Sequence, residues 1–240
     1  LQSEIDRALY GKYAGHPLLP PAEYNLSRRA GGRACYTFCM CPGGVVVAAQ
    51  SEEHTVVTNG MSYHERSGKN ANAAIAVSVD PKDYDDGTPF GGASLQRQIE
   101  RAAFAQTGSY RAPCQRVGDF LAGKPSKAAG AVRPSYPIGV EYSAATASLP
   151  AFAQDMLRDS LPFFGGKLRG FDDPDAVLTA PETRSSSPVR IVRGEDRCST
   201  GVPGLYPCGE GAGYAGGITS AAVDGLRCAE SVLAALQNEA

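Results

Sequence analysis

The chain has 240 residues, 42% of them hydrophobic and 20% charged, which suits one large or two small globular domains with ample material for a core. Lys and Arg number 23 against 25 Asp and Glu, leaving a net charge of −2. No basic field is available to hold nucleic acid or an anionic membrane, so neither is expected as a partner.

Seven cysteines are an odd count without the spacing of a small disulfide scaffold, and they read as reduced thiols in a cytoplasmic protein. The apolar runs fall short of the eighteen or so residues of a membrane span. The first residues, Leu1-Gln-Ser-Glu-Ile-Asp-Arg7, carry neither a signal peptide nor an initiator context and read as the interior of a longer protein.

In chain order, Gln2 to Tyr10 has its apolar residues at helical spacing, with Gly11 as a stop. Ala34–Phe38, Gly44–Ala49 and Thr55–Thr58 are short, rich in Val and aromatics, and separated by turn residues, which predicts a three-stranded meander. A further strand is expected over Ala73–Val79. Ser94 can cap a helix that Gly108 ends. Residues 109–147 show little periodicity beyond a short helix at Val117–Leu121. Ser148 can cap a second amphipathic helix ending at Gly165-Gly166, and Ala176–Leu178 and Val189–Val192 read as strands.

The last sixty residues carry the sharpest pattern. Leu205–Cys208 has the length of a buried strand, five glycines follow between Gly209 and Gly217, and a helix is predicted from about Gly217 to Leu236. A strand, a glycine turn and a helix let a backbone approach a phosphate or a ring and aim a helix N-terminus at it. Gly211-x-Gly213-x-x-Gly216 fits a dinucleotide fingerprint as a string, yet the second strand that would complete a βαβ unit does not follow it, and Glu230 falls inside the helix. The blander reading is a turn that only packs a helix on a sheet.

Other candidates carry alternatives too. Cys39-Met40-Cys41 is either a redox pair or two small residues at a strand end; a metal site would need ligands that the spacing does not supply. Arg184–Pro188 is either an anion-binding turn or an exposed loop. His16, His54 and His64 lack ligand spacing, and there is no Gly-x-Ser-x-Gly elbow of a serine hydrolase.

The segment Gly204-Leu-Tyr-Pro-Cys-Gly-Glu-Gly-Ala-Gly-Tyr-Ala-Gly-Gly-Ile-Thr-Ser-Ala-Ala-Val-Asp-Gly225 resembles the closing FAD motif of two-dinucleotide-binding-domain flavoproteins. Three more blocks resemble FAD-dependent dehydrogenases of unassigned substrate: Tyr36-Thr-Phe-Cys-Met-Cys-Pro-Gly-Gly44, Thr58-Asn-Gly-Met-Ser62 with Asn70-Ala-Asn72, and Glu182-Thr-Arg-Ser-Ser-Ser-Pro-Val-Arg190. The resemblance implies the C-terminal portion of a longer enzyme, since the family's opening βαβ unit is not in this sequence. It implies an α+β and α/β fold: a mixed meander and helices over 1–180 as a substrate-domain-like region, and over 181–240 the closing strand–helix unit of an FAD-binding, Rossmann-like domain.

By the same resemblance, Gly209 and Glu210 would meet the ribityl and phosphate part of FAD, Gly216, Gly217 and Ile218 the flavin N1–C2=O edge, and Gly211 is a further cofactor-binding residue. Arg184 and Ser186 would lie close to it. The expected reaction is hydride transfer through flavin N5, with NAD(P)H as a candidate electron donor, a small-molecule substrate, and the missing N-terminal FAD-binding half as partner. Cys39 and Cys41 are the candidate catalytic residues, and no metal is expected. Two alternatives stand beside this: a cofactor-free binding or assembly module that could self-associate, and a thiol redox protein using Cys39 and Cys41.

Overall fold

The computed structural model describes residues 1–238. They form two compact units, one from residues 1–80 with 97–183 and the other from residues 81–96 with the chain from 184 on. The helices are α1 (Gln2–Tyr10), α2 (Gly91–Thr107), α3 (Val117–Leu121), α4 (Ala151–Lys167) and α5 (Ile218–Asn238). The strands are β1 (Ser27–Ala30), β2 (Arg33–Cys41), β3 (Val45–Ala48), β4 (Thr58–Met61), β5 (Asn72–Val77), β6 (Ala112–Arg116), β7 (Val140–Tyr142) and β8 (Val177–Thr179).

All eight strands lie in the first unit, in three small sheets. β2 is central to an antiparallel sheet ordered β1-β2-β5, and β3 and β4 form an antiparallel pair. β6 pairs with β7 in parallel and with β8 antiparallel. Along β2 the side chains alternate, so Cys35 and Thr37 are buried between half-buried neighbours. On that face α4 lays Met156, Leu157, Leu161 and Phe164 into one core with Cys35, Val117 and Phe120. Phe164 meets Phe171 edge-on at 5.5 Å, and Phe171 meets Tyr24 at the same distance. Each such side chain, fully buried, contributes roughly 1.5–3 kcal/mol. A second cluster joins Val56, Ala103, Ala112 and Tyr136.

The fold is mixed α and β, as expected, with several local differences. The three-stranded meander is not formed: β2 pairs with β1 and β5, and β3 pairs with β4. Thr55–Val57, expected to be strand, form a buried approach to β4. β1 escapes prediction because Ser-Arg-Arg-Ala is polar; its partner β2 makes it a strand. The α4 helix starts at Ala151 after Pro150, not at a Ser148 cap, and runs through Gly165-Gly166 to Lys167. Packing of Leu161 and Phe164 carries it past both glycines.

The expected strands Val189–Val192 and Leu205–Cys208 are not strands here. A strand needs a hydrogen-bonded neighbour, and the ties in this region are single ones: an isolated bridge of Arg193 with Ser199, and a bond from Ser199 N–H to Leu205 O of 2.7 Å. Of the strand, glycine turn and helix expected to close the chain, the structure has the turn and the helix α5 and lacks the strand. No described helix is long and apolar enough to cross a membrane.

Candidate functional site

Two sets of polar side chains stand out, one in each unit. The first lies where β2 ends. The β2–β5 register slips between Phe38 and Cys41, and Cys39 takes a φ of 46°. A bulge with a non-glycine residue in the left-handed region re-aims the side chains around it, and such bulges gather at functional sites. Cys39 is exposed and Cys41 half-buried, and neither is in a disulfide. The Cys41 thiol donates to the Cys39 carbonyl at 3.2 Å. Burial pushes the Cys41 thiol up; the hydroxyl of Ser62 counters this, and Cys39 and Glu182 add to it.

Glu182 is half-buried, and its charge acts on the Cys41 thiol. Its position is fixed from both sides. Pro181 O accepts from Thr58 N–H at 2.8 Å and from Thr58 Oγ1 at 3.0 Å, while Thr183 Oγ1 donates to the buried Glu100 Oε1 at 2.6 Å. Loss of water pushes the Glu182 carboxyl up to about 7. Next along β4, a Cβ on Gly60 would collide with Asn72 Oδ1 and lie 3.4 Å from Cys41 Sγ, so glycine lets Asn72 and Cys41 close over this strand. The Nδ2 of Asn72 is buried without a hydrogen-bond partner.

The second set is the glycine turn before α5. Gly209 and Gly213 have φ of 73° and 84°, and a Cβ on Gly213 would sit 2.5 Å from Val189 O, so both need glycine. Asp224, in the second turn of α5, accepts from Gly209 N–H at 2.9 Å and from Arg193 in a bidentate pair at 3.0 and 2.6 Å. Both side chains of that ion pair are nearly buried, at 10% and 13% exposure. Arg193 also donates to Pro207 O at 2.7 Å and lies 3.6 Å over the Tyr214 ring, whose hydroxyl donates to Ile191 O at 3.0 Å. The Arg193 guanidinium holds the Asp224 carboxyl down to about 2. Arg190 closes the turn from its other end, donating to Gly213 O at 3.1 Å.

This clamp leaves a defined set of groups facing outward. Glu210, Gly211, Gly216 and Ile218 are exposed. A Cβ on Gly211 would meet nothing within 4 Å, and one on Gly216 only Ser186 Oγ at 3.7 Å. Gly217 and Ile218 open α5, where N–H groups have no intrahelical carbonyl to bond. The turn therefore offers backbone donors and one carboxylate acceptor on an open face. That donor set fits the hydroxyls, phosphate and ring oxygens of FAD. The structure brings Ser186 to Gly216 and keeps Arg184 half-buried in the same unit. It keeps Cys39 and Cys41 with the other unit.

Sequence reasoning missed Glu182 as a carboxyl drawn out of water, and Arg193, Tyr214 and Asp224 as the clamp. Asp224 carried a signal: an acidic residue on the face of α5 that looks back at the glycine turn. Arg193 carried none, since its partner is 31 residues away. Among the described residues, no three His, Cys, Asp or Glu side chains group so as to hold a metal ion.

Comparison with known sequences gives these two sets a family context. The chain is 47% identical over 235 residues to an uncharacterized protein of Clostridium beijerinckii (strain ATCC 51743 / NCIMB 8052), a match covering 97% of this chain and 44% of that relative. The chain thus spans less than half the length of the curated relative it matches. The family described as "FAD-dependent protein, C-terminal domain-like" matches residues 1–185, a range that takes in the whole bulge site and stops short of the glycine turn. The chain therefore belongs to the C-terminal domain-like family of FAD-dependent proteins.

Proposed function

We propose that this chain is the C-terminal portion of an FAD-dependent oxidoreductase acting on a small organic molecule. The observation that carries the reading is the clamped glycine turn, whose outward groups suit a flavin dinucleotide. Glu210 would accept from ribityl hydroxyls, and the amides of Gly216, Gly217 and Ile218 would donate to the N1–C2=O edge. FAD, when bound, supplies hydride acceptance at N5. The chain's own part is to fix the turn through Asp224 and Arg193, to exclude a Cβ where the ring approaches, and to place the positive end of α5 where negative charge collects. NAD(P)H as electron donor belongs to the same proposal.

The outer face of α5 supports the placement of this chain in a longer protein. Ile218, Leu226, Leu233 and Leu236 are exposed, from 59% to 91%, and recur at helical spacing on the helix that follows the cofactor turn. A stripe of this kind needs a cover. We propose that the FAD-binding remainder of the longer polypeptide provides it, which matches a relative more than twice the length of this chain.

The test is spectroscopic. The full natural polypeptide should purify with, or take up, FAD and show flavin absorbance, and the bound flavin should bleach when a reductant or substrate is supplied. A polypeptide that stays colourless after incubation with excess FAD rejects the reading. The isolated chain, with the α5 stripe uncovered, should self-associate in sedimentation, and the association should fall when Leu226 and Leu233 are replaced by Lys.

A further inference from the structure

We propose that Cys39 and Cys41 form a thiol–disulfide exchange site for small disulfide compounds, with Cys39 as the attacking thiol and Cys41 as the resolving one. The pair lies wholly in the first unit and needs no flavin. The geometry of the β2 bulge carries it.

Phe38 pairs with Ala74 and Cys41 with Asn72, so three steps along β2 match two along β5 and the strand bends where the cysteines sit. Cys39 takes the left-handed φ of 46°, an unfavourable conformation for a residue with a Cβ. The Cys41 S–H points back at that residue and donates to Cys39 O at 3.2 Å, which puts Cys41 Sγ within about 5.6 Å of Cys39 Cα. The Cα atoms of residues two apart are separated by at most about 7 Å. With the strand bent between them, the two sulfurs are within reach of a disulfide.

Exposure divides the labour. Cys39 is exposed, so a dissolved disulfide can reach it. Cys41 is half-buried and closely packed: a Cβ on Gly44 would come 2.8 Å from Cys41 Cβ, and one on Gly60 3.4 Å from its Sγ. Burial also keeps the Cys41 thiol protonated, which makes it a poor first nucleophile. Once Cys39 is occupied, however, Cys41 attacks within the same chain, and such a step outruns attack by a thiol from solution.

The exchange balances without a further reactant. Cys39 releases its proton and its sulfur attacks one sulfur of the small disulfide. The S–S bond of that compound breaks, and one half leaves as a thiol carrying a proton. Cys41 then releases its proton and attacks the Cys39 sulfur of the mixed disulfide, and the second half leaves as a thiol. The two cysteines are oxidised by two electrons, the small disulfide is reduced by two, and both thiol protons end on the two product thiols.

Glutathione disulfide is a suitable probe. The full natural polypeptide, reduced beforehand, is exposed to it at pH 7.5, quenched with acid and mapped by peptide mass spectrometry. In the wild type the peptide that holds both cysteines should lose two hydrogens and keep no glutathione. Cys41→Ser removes the resolving thiol and should raise the glutathione held at Cys39 by about tenfold or more. Cys39→Gly keeps a residue suited to the left-handed backbone. In that variant Cys41 should take up glutathione at least about tenfold more slowly than Cys39 does in Cys41→Ser. Wild-type Cys39 that retains as much glutathione as Cys41→Ser does overturns the proposal. So does a disulfide from Cys39 to any other cysteine, or uptake at Cys41 in Cys39→Gly as fast as at Cys39 in Cys41→Ser. A colourless polypeptide would reject the flavin reading and leave these outcomes as decisive as before.

Discussion

In the first unit Phe120, Leu161 and Phe164 are buried to 2% exposure or less around α4, whereas in the second the buried apolar residues are small, Ala212 and Cys228 among them. What gives the second unit its shape is polar: one bidentate ion pair, a backbone bond to Gly209 and a guanidinium on a tyrosine ring. An apolar core is non-directional and tolerates small shifts of its members. A clamp of charge-assisted bonds fixes atoms to within tenths of an ångström and fails when one member goes. The first unit is thus built to be stable, and the second to present one loop in one shape. The uncovered leucines of α5 agree with this, because they leave the second unit without a core of its own.

The contrast can be broken by substitution. The largest effect belongs to the first unit: Phe164→Ala should cost about 4 kcal/mol, as the loss of a fully buried aromatic ring leaves a cavity. Denaturant unfolding should show the loss, while hydrogen exchange at Gly209–Tyr214 stays as in the wild type. Asp224→Ala should come next, at about 3 kcal/mol, because it leaves Arg193 nearly buried without its partner and frees Gly209 N–H. Here exchange at Gly209–Tyr214 should rise steeply, and the affinity for FAD should fall by more than tenfold. Replacing the pair together, Arg193→Met with Asp224→Leu, should restore much of the stability and little of the affinity. Equal exchange in Asp224→Ala and wild type would mean that the clamp does not shape the turn.

Legibility in the sequence follows the same division. The amphipathic pattern of α4 and the Gly108 stop of α2 are local facts, and the structure has both elements. Helix α1 matches over its full length because its signals lie within nine residues. Strand pairing is not local. The valine run of Val45–Ala48 announces a strand without saying that Thr58–Met61, across a loop, is its partner. The polar Ser27–Ala30 becomes β1 only because β2 offers it bonds. The same holds for the sites. The glycine turn could be read because φ above zero and close approach leave glycines in the sequence. Its clamp could not, since Arg193 meets Asp224 only after folding. Glu182 sat in a block singled out for resemblance, but its loss of water is a tertiary effect without a sequence signature.

The subtlest expected difference between the units is in their response to pH, and its sign is opposite in the two. Glu182 has its folded carboxyl at about 7 against an ordinary 4.5. Folding therefore favours its protonated form: that stability is complete below about pH 4.5, and it is lost as the pH rises through about 7. Asp224 is displaced the other way, to about 2 against an ordinary 3.8. Its contribution is present above about pH 3.8 and is lost as the pH falls through about 2. Between about pH 4.5 and 7 the first unit should weaken while the clamp of the second stays unchanged; between about pH 4 and 2 the clamp should fail. Site-resolved hydrogen exchange, corrected for intrinsic rates, can follow Thr58–Met61 and Gly209–Tyr214 in one series. Glu182→Gln should remove the rise at Thr58–Met61 between about pH 4.5 and 7 and leave the acid response at Gly209–Tyr214 intact. If both segments instead move together in the variant, the two units do not respond to pH through separate groups, and the division of labour between a stable core and a polar clamp fails with them.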